Sequence, residues 1–407
     1  MRELLSCAMD IGEQMLISGA EVHRVEDSMS RICTALGAVR VDCFIITSSM
    51  VITVHSADDR AYTETRRIKS VGTDFDRLDK LNSLSRRICN NGMTYDEIQN
   101  EISKIKRGKA YPFLLQCAAY AVIAAAFTAF FGGELAQILV SGVVGAVICF
   151  VVALAERTIQ NMIFSKFVSS LFVTFLSYAF LWIGAVSRVD EIIIGNIMLI
   201  IPGLGFTNAL RDLFTGDSIA GALRSLEAAI SALSIAAGYI LFAIISGEVS
   251  VSGHSGSALI PLQVVGAFLG SLGFAVLFNI RGRKLVATAV GGGLGWILFL
   301  LLNSFINDEA ICYFIVAMSI ALYSEIMSRI LKAPATIFIA PSLIPLVPGA
   351  SLYYTMAFAL RGNTDMFSLR AFATVSLSAA LAIGIIVSAI ATQLILKFVH
   401  TLRMGRK

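Results

Sequence analysis

The residues best suited to chemistry stand where the sequence is otherwise least polar. Between Ile200 and Glu227, inside an apolar run, lie Pro202-Gly203, Asn208, Arg211, Asp212, Asp217, Arg224 and Glu227. Ionisable side chains are costly at membrane depth and are usually functional there. A guanidinium can hold a carboxylate through two parallel hydrogen bonds. Arg224 is therefore a candidate receptor for a substrate carboxylate, with Glu227, Asp212 and Glu325 as candidate proton carriers. Arg224 and Glu227 are also three residues apart, so on a helix they read equally as a structural ion pair. Asn208, Arg211 and Asp217 read equally as helix-end caps.

Proline must interrupt any helix that runs through it. Interrupted backbone at membrane depth survives only where protein encloses it or a wet cavity lines it. The motif has an echo: Pro348-Gly349, Gly362 and Leu369-Arg370 repeat Pro202-Gly203, Gly216 and Leu223-Arg224 at a constant offset of 146 residues. Residues 202–244 and 348–390 align without a gap at 10 identities in 43 positions. Two interrupted segments in matching halves point to the central site of a transporter. On this reading the second half contributes Pro348, Gly349, Tyr353, Tyr354 and Arg370.

The elements that must position these residues follow from composition. The 407 residues are 57% hydrophobic and 15% charged, against about 45–50% and about 25% in soluble domains. Residues 1–110 hold 16 of the 32 Lys/Arg and 16 of the 28 Asp/Glu, so a polar, net-neutral head precedes an apolar body. In the head, periodicity predicts helices over residues 4–17 and 21–36, strands over Val39–Thr47, Met50–His55 and Tyr62–Ile68, and helices over Asp74–Cys89 and from Thr94. Thr94 and Glu97 form a capping box. This is an α+β domain of order ααβββαα over 1–110. Its densest polar cluster, Glu21, His23, Arg24, Glu26 and Asp27, reads as a solvated helix face.

The body predicts ten spanning segments at about 20 apolar residues each: about 111–131, 135–154, 167–186, 191–210, 219–246, 258–279, 285–303, 310–330, 335–360 and 367–397. The fourth and ninth carry the Pro-Gly breaks and are expected to be discontinuous or bent. Twelve Lys/Arg then fall in loops on the side of the head and two, Arg188 and Arg361, on the other. That asymmetry places both termini in the cytoplasm. The offset maps the first five segments onto the last five, and an odd repeat unit must sit in inverted orientation. The expected fold is a polytopic α-helical membrane protein with units 111–250 and 258–400, joined through 247–257. Gly266, Gly270, Gly273 and Gly291–Gly295 read as faces for close helix packing.

Several functions are excluded. The seven Cys show no CxxC and no His at ligand spacing, so neither a disulfide framework nor a metal site is expected. No GxSxG, HExxH or P-loop occurs, and Gly253–Ser257 imitates a hydrolase elbow only superficially. No cofactor, no nucleic-acid partner and no catalytic residue are expected. Without a nucleotide motif, an electrochemical gradient must drive transport, with a proton as the expected coupling ion and homo-oligomerisation left open.

Ser18-Gly19-Ala20-Glu21-Val22-His23-Arg24-Val25-Glu26-Asp27, the core from Pro202-Gly203 through Asn208-Ala209, Arg211-Asp212-Leu213 and Gly216-Asp217, and Pro345-Leu346-Val347-Pro348-Gly349 together resemble the threonine/serine exporter family. The resemblance covers nearly the whole chain. It implies a multi-pass inner-membrane exporter of threonine and serine driven by an ion gradient. Two-subunit relatives are proposed to export succinate, which makes a dicarboxylate the alternative substrate. The family's suggested hydrolase activity finds no nucleophile or base here; a membrane-anchored hydrolase and a gated channel remain the readings of another class.

Overall fold

The computed structural model of the chain describes residues 2–69, 71–158, 161–247 and 259–404. The expected joint beyond Gly247 and the Gly253–Ser257 run lie outside these residues. The chain divides into two units: Met1–Tyr111 with Phe278–Arg281, and Pro112–Leu277 with Gly282–Lys407.

The first unit runs α1 (Arg2–Ile17), α2 (Val22–Ala35), β1 (Arg40–Ile46), β2 (Ser49–His55), β3 (Ala61–Arg67), α3 (Phe75–Asn91) and α4 (Tyr95–Lys106). The strands form one antiparallel sheet in the order β1-β2-β3, with Ile45 opposite Met50 and Met50 opposite Arg66. Alternate residues of β2 (Met50, Ile52 and Val54) point inward, and Met9, Met15, Met29, Ile32 and Leu81 are buried with them. The Thr94–Glu97 capping box forms at the start of α4. Arg66 ties β3 to α1 by donating to Asp10 (2.7 Å), Glu13 (3.1 Å) and Glu64 (2.8 Å). Glu26 accepts from the backbone N–H of Ile45 at 3.1 Å and so fixes α2 to β1, while Asp27 pairs with Arg31 on the helix surface. The Phe278–Arg281 stretch is held in this unit. Phe75 N donates to the Phe278 carbonyl, Asn279 Nδ2 to Asp74 and Tyr111 Oη to the Ile280 carbonyl, each at 2.9 Å.

The second unit is all helix: α5 (Phe113–Phe130), α6 (Leu135–Thr158), α7 (Met162–Trp182), α8 (Asp190–Ile197), α9 (Gly203–Thr215), α10 (Ser218–Ser246), α11 (Ile260–Leu277), α12 (Arg283–Asn303), α13 (Glu309–Leu331), α14 (Thr336–Leu343), a 3-10 turn Ile344–Leu346, α15 (Gly349–Leu360) and α16 (Thr364–Met404). Eight of these, α5–α7, α10–α13 and α16, are long and apolar enough to cross a membrane, and the chain is a multi-pass membrane protein. Thr336–Leu346 and Gly349–Leu360, bent by 54°, make a ninth span if counted as one.

Against the expected ten, eight helices among the described residues qualify as spans, or nine with the bent pair. The fourth expected segment, 191–210, is divided into α8 and α9 with Met198–Pro202 between them. Pro202, with no backbone donor, cannot continue α8; it sits at φ −83°, ψ 41° and caps α9. Pro348 does the same ahead of α15 at φ −75°, ψ 50°. The two breaks thus share one backbone conformation. The helices around them share one register: α8, α9 and α10 begin at Asp190, Gly203 and Ser218, and α14, α15 and α16 begin 146 residues later at Thr336, Gly349 and Thr364.

The packing is reciprocal. Helix α9 packs on α10, and α15 on α16; in addition α10 packs on α15, and α16 on α9. Helix α5 lies along α11. Its approach needs glycine: a Cβ at Gly266 would stand 2.7 Å from the Ala126 carbonyl, and one at Gly270 would stand 2.8 Å from the Phe127 ring. Small residues at such positions let helix backbones approach where water supplies no drive to associate. A buried cluster including Ile192, Ile197, Ile235, Tyr239, Tyr353 and Tyr354 joins α8, α10 and α15.

Candidate functional site

The two breaks meet. A Cβ on Gly203 would stand 3.5 Å from Cα of Gly349 and would collide with Val347; one on Gly349 would stand 2.9 Å from Ile201 Cγ2. Glycine at both positions lets the interrupted backbones touch, which places the starts of α9 and α15 side by side.

On α9, Asp212 is 4% exposed and Arg211 8%. Arg224, on α10, donates from Nη1 to Asp212 Oδ2 at 2.5 Å. Arg211 Nη2 lies 4.0 Å from the other carboxylate oxygen. The Arg224–Glu227 ion pair, one of the two readings of that spacing, does not form among the described residues. Gly216, at φ 100°, ends α9 in the left-handed conformation and turns the chain back, so Arg224 reaches the helix before its own. Glu227 is exposed instead, within electrostatic reach of Lys166 on α7. Asp217 occupies the N-cap position of α10 but makes no side-chain capping bond. Asn208 is half-buried, and Thr207 beside it carries a buried hydroxyl with no hydrogen-bond partner among the described residues.

In the second half Tyr353 and Tyr354 are buried, their ring centroids 5.4 Å apart, and Tyr353 meets Tyr239 of α10 edge-on at 5.9 Å. Arg370 lies over the Tyr354 ring at 5.8 Å. Glu325 stands on α13 at 4.0 Å from Arg329, one turn on. The structure thus brings together Pro202, Gly203, Pro348 and Gly349; Asp212 with Arg211 and Arg224; and Tyr353 with Tyr354 and Arg370. Glu227 and Glu325 have other neighbours.

One polar centre escaped sequence reasoning. Glu191, in the first turn of α8, is 1% exposed. It accepts from Gln137 Nε2 at 2.8 Å, with Arg188 Nη2 3.6 Å away. Thr128 Oγ1 lies 2.6 Å from Ser141 Oγ and 3.2 Å from the Glu191 carbonyl, and Asn196 Nδ2 donates to Ser141 at 2.9 Å. Nothing in the spacing of these residues shows that α5, α6 and α8 bring them together. Among the described residues no three His, Cys, Asp or Glu side chains gather as metal ligands would.

Residues 6–246 match the family described as "Putative threonine/serine exporter", and residues 263–391 match one described as "Threonine/Serine exporter, ThrE". A protein of Mycobacterium tuberculosis named "Probable threonine/serine exporter" is 20% identical over 381 residues, spanning 89% of this chain and 72% of the relative. No solved structure matches the chain.

Proposed function

Because the chain belongs to the threonine/serine exporter family, we propose that it exports threonine and serine by secondary transport around the paired Pro-Gly breaks. The observation that carries this reading is the contact of Gly203 with Gly349, since broken helices at a repeat interface are where transporters hold substrate. Counting α8–α9 and α14–α15 as one span each makes ten spans in two five-span units. An odd unit inverts its successor, so the two halves present one site alternately to either side. The excess of Lys/Arg on one side of that topology puts both termini in the cytoplasm.

The substrate would sit against Pro202, Gly203, Asn208, Arg211, Asp212, Asp217, Arg224 and Glu227 of the first half, and Pro348, Gly349, Tyr353, Tyr354 and Arg370 of the second. The Asp212–Arg224 pair has the charge pattern that an α-amino acid complements. The substrate carboxylate would take the guanidinium and its ammonium the Asp212 carboxylate. A proton on Asp212 would then compete with the substrate ammonium, which is the sign that proton-for-substrate exchange requires. A dicarboxylate would meet Asp212 with like charge.

The test is uptake of labelled threonine, serine and succinate into inside-out vesicles with and without a pH gradient. Gradient-dependent threonine and serine uptake is the expected result. Uptake of succinate alone would replace the substrate; uptake of none would remove the exporter reading.

A further inference from the structure

The two halves treat their equivalent arginines differently. At the 146-residue offset Arg224 corresponds to Arg370, Asp212 to Phe358 and Asn208 to Tyr354. In the first half the arginine has its own carboxylate, Asp212. In the second half that carboxylate is a phenyl ring, and Arg370 rests on the face of Tyr354 instead. Its Nε is buried and has no hydrogen-bond partner among the described residues. Arg361 is a second case. It ends α15 seven residues after Tyr354, two helical turns along the same face. Its Nη2 is likewise buried without a hydrogen-bond partner among the described residues. Among the described residues, neither guanidinium has an ion-pair partner, whereas Arg66, Arg87, Arg188, Arg211 and Arg224 all do.

A buried guanidinium N–H left without an acceptor costs free energy that an anionic ligand recovers. An aromatic face orients the guanidinium and leaves its edge N–H groups free to donate. We propose that Arg370, resting on Tyr354, and Arg361, two turns further along at the end of α15, form a carboxylate-binding site in the second half, where the substrate supplies the acceptor that Asp212 supplies to Arg224 in the first. The inference rests on the exporter reading for the identity of its ligand. It goes beyond that reading in assigning Arg361 and in separating the two halves by chemistry. The first half offers a charge pair, matched to a whole zwitterion. The second offers guanidinium N–H groups that, among the described residues, no carboxylate accepts from, with Glu309 acting on Arg370 only at longer range, and it is matched to the carboxylate end.

The experiment uses the full chain in proteoliposomes and in detergent, with threonine, threonine amide (which lacks the carboxylate) and succinate as probes. The wild type should prefer threonine to its amide. Arg370→Gln should weaken threonine binding roughly 10-fold or more, the loss expected for one charge-assisted hydrogen bond, and should erase most of the preference over the amide. Arg361→Gln should do the same to a smaller extent. Arg370→Lys keeps the charge and the ring contact but not the bidentate geometry; it should fold as wild type and still lose affinity. Wild-type preference for threonine over the amide in Arg370→Gln and in Arg370→Lys would overturn the site. Should the wild type carry succinate and not threonine, and Arg370→Gln lose it, the carboxylate site stands and the amino-acid reading falls. If the wild type binds none of the probes, both fall together.

Discussion

Gly203 and Gly349 approach closely, a Cβ on Gly203 falling 3.5 Å from Cα of Gly349, and each is the first helical residue after a proline at nearly the same backbone angles. Neither position has room for a methyl group, because at Gly203 it would collide with the branched side chain of Val347 and at Gly349 it would stand 2.9 Å from that of Ile201. Gly203→Ala should therefore reduce threonine transport severely, by 10-fold or more for a displacement of roughly 1 Å at the site, with Gly349→Ala somewhat milder. Gly205 is the internal control: a Cβ there meets nothing nearer than Pro202 Cβ at 3.8 Å. Gly205→Ala should transport normally in the same vesicle assay, and equal activity of all three variants would remove the contact from the mechanism.

Asp212 and Arg224 stand or fall as a pair. Removing one partner leaves a buried charge, so Asp212→Asn or Arg224→Gln alone should cost about 1–3 kcal/mol of stability, below the roughly 3–5 kcal/mol of a fully buried pair because Arg224 stays 18% exposed. The double variant should recover the melting temperature, since no unpaired charge remains, and should still be inactive if the pair holds the substrate. Recovery of both stability and transport would make the pair purely structural. Glu227→Gln, at an exposed position, should leave stability nearly unchanged.

Gln137 keeps Glu191 satisfied. Gln137→Ala should destabilise the chain by about 1–3 kcal/mol, the cost of stranding a buried acceptor. Glu191→Gln should be milder, because an amide can still accept from Gln137. Thermal unfolding in detergent gives both values, and the reverse ranking would contradict the assignment.

In the first unit, Arg87 and then Lys104 hold the Glu101 carboxyl down from its ordinary value of 4.5 to about 2. The folded form therefore binds fewer protons than the unfolded form. The stabilisation is fully present above pH 4.5 and disappears as pH falls toward 2. Both partners are substantially exposed, so the effect is small, within the range of about 0–1 kcal/mol for surface pairs. Glu101→Gln should lower the melting temperature slightly at pH 6 and not at all near pH 2. A difference that grew on acidification would have the wrong sign.

The broken helices were legible because proline leaves a mark no packing can erase. Pro202 and Pro348 fixed both breaks and their common offset before any contact was known. The family was legible in the same residues. The strands of the first unit showed through β-branched runs such as Met50–His55. Pairings between helices were not legible. Arg224 and Glu227 share a face on α10, and only the turn-back at Gly216 gives Arg224 to Asp212. Nothing in the sequence singles out Glu191, since its partner Gln137 lies on another helix 54 residues earlier. Such contacts depend on how helices cross, which a single sequence does not display.

The crossed packing of α9 with α16 and of α15 with α10 also sets a timetable for biogenesis. When a ribosome has completed α10 at Ser246, the flank that α15 will cover is still bare, and 114 more residues must be made before α15 ends at Leu360. At about 5–20 residues per second that is an interval of roughly 6–23 s. Throughout it the newborn first half lacks both crossed contacts, α10 with α15 and α9 with α16. A chain that stalls in this interval is left as a hydrophobic fragment with an unfilled seam, the kind of surface that membrane quality-control proteases and chaperones recognise.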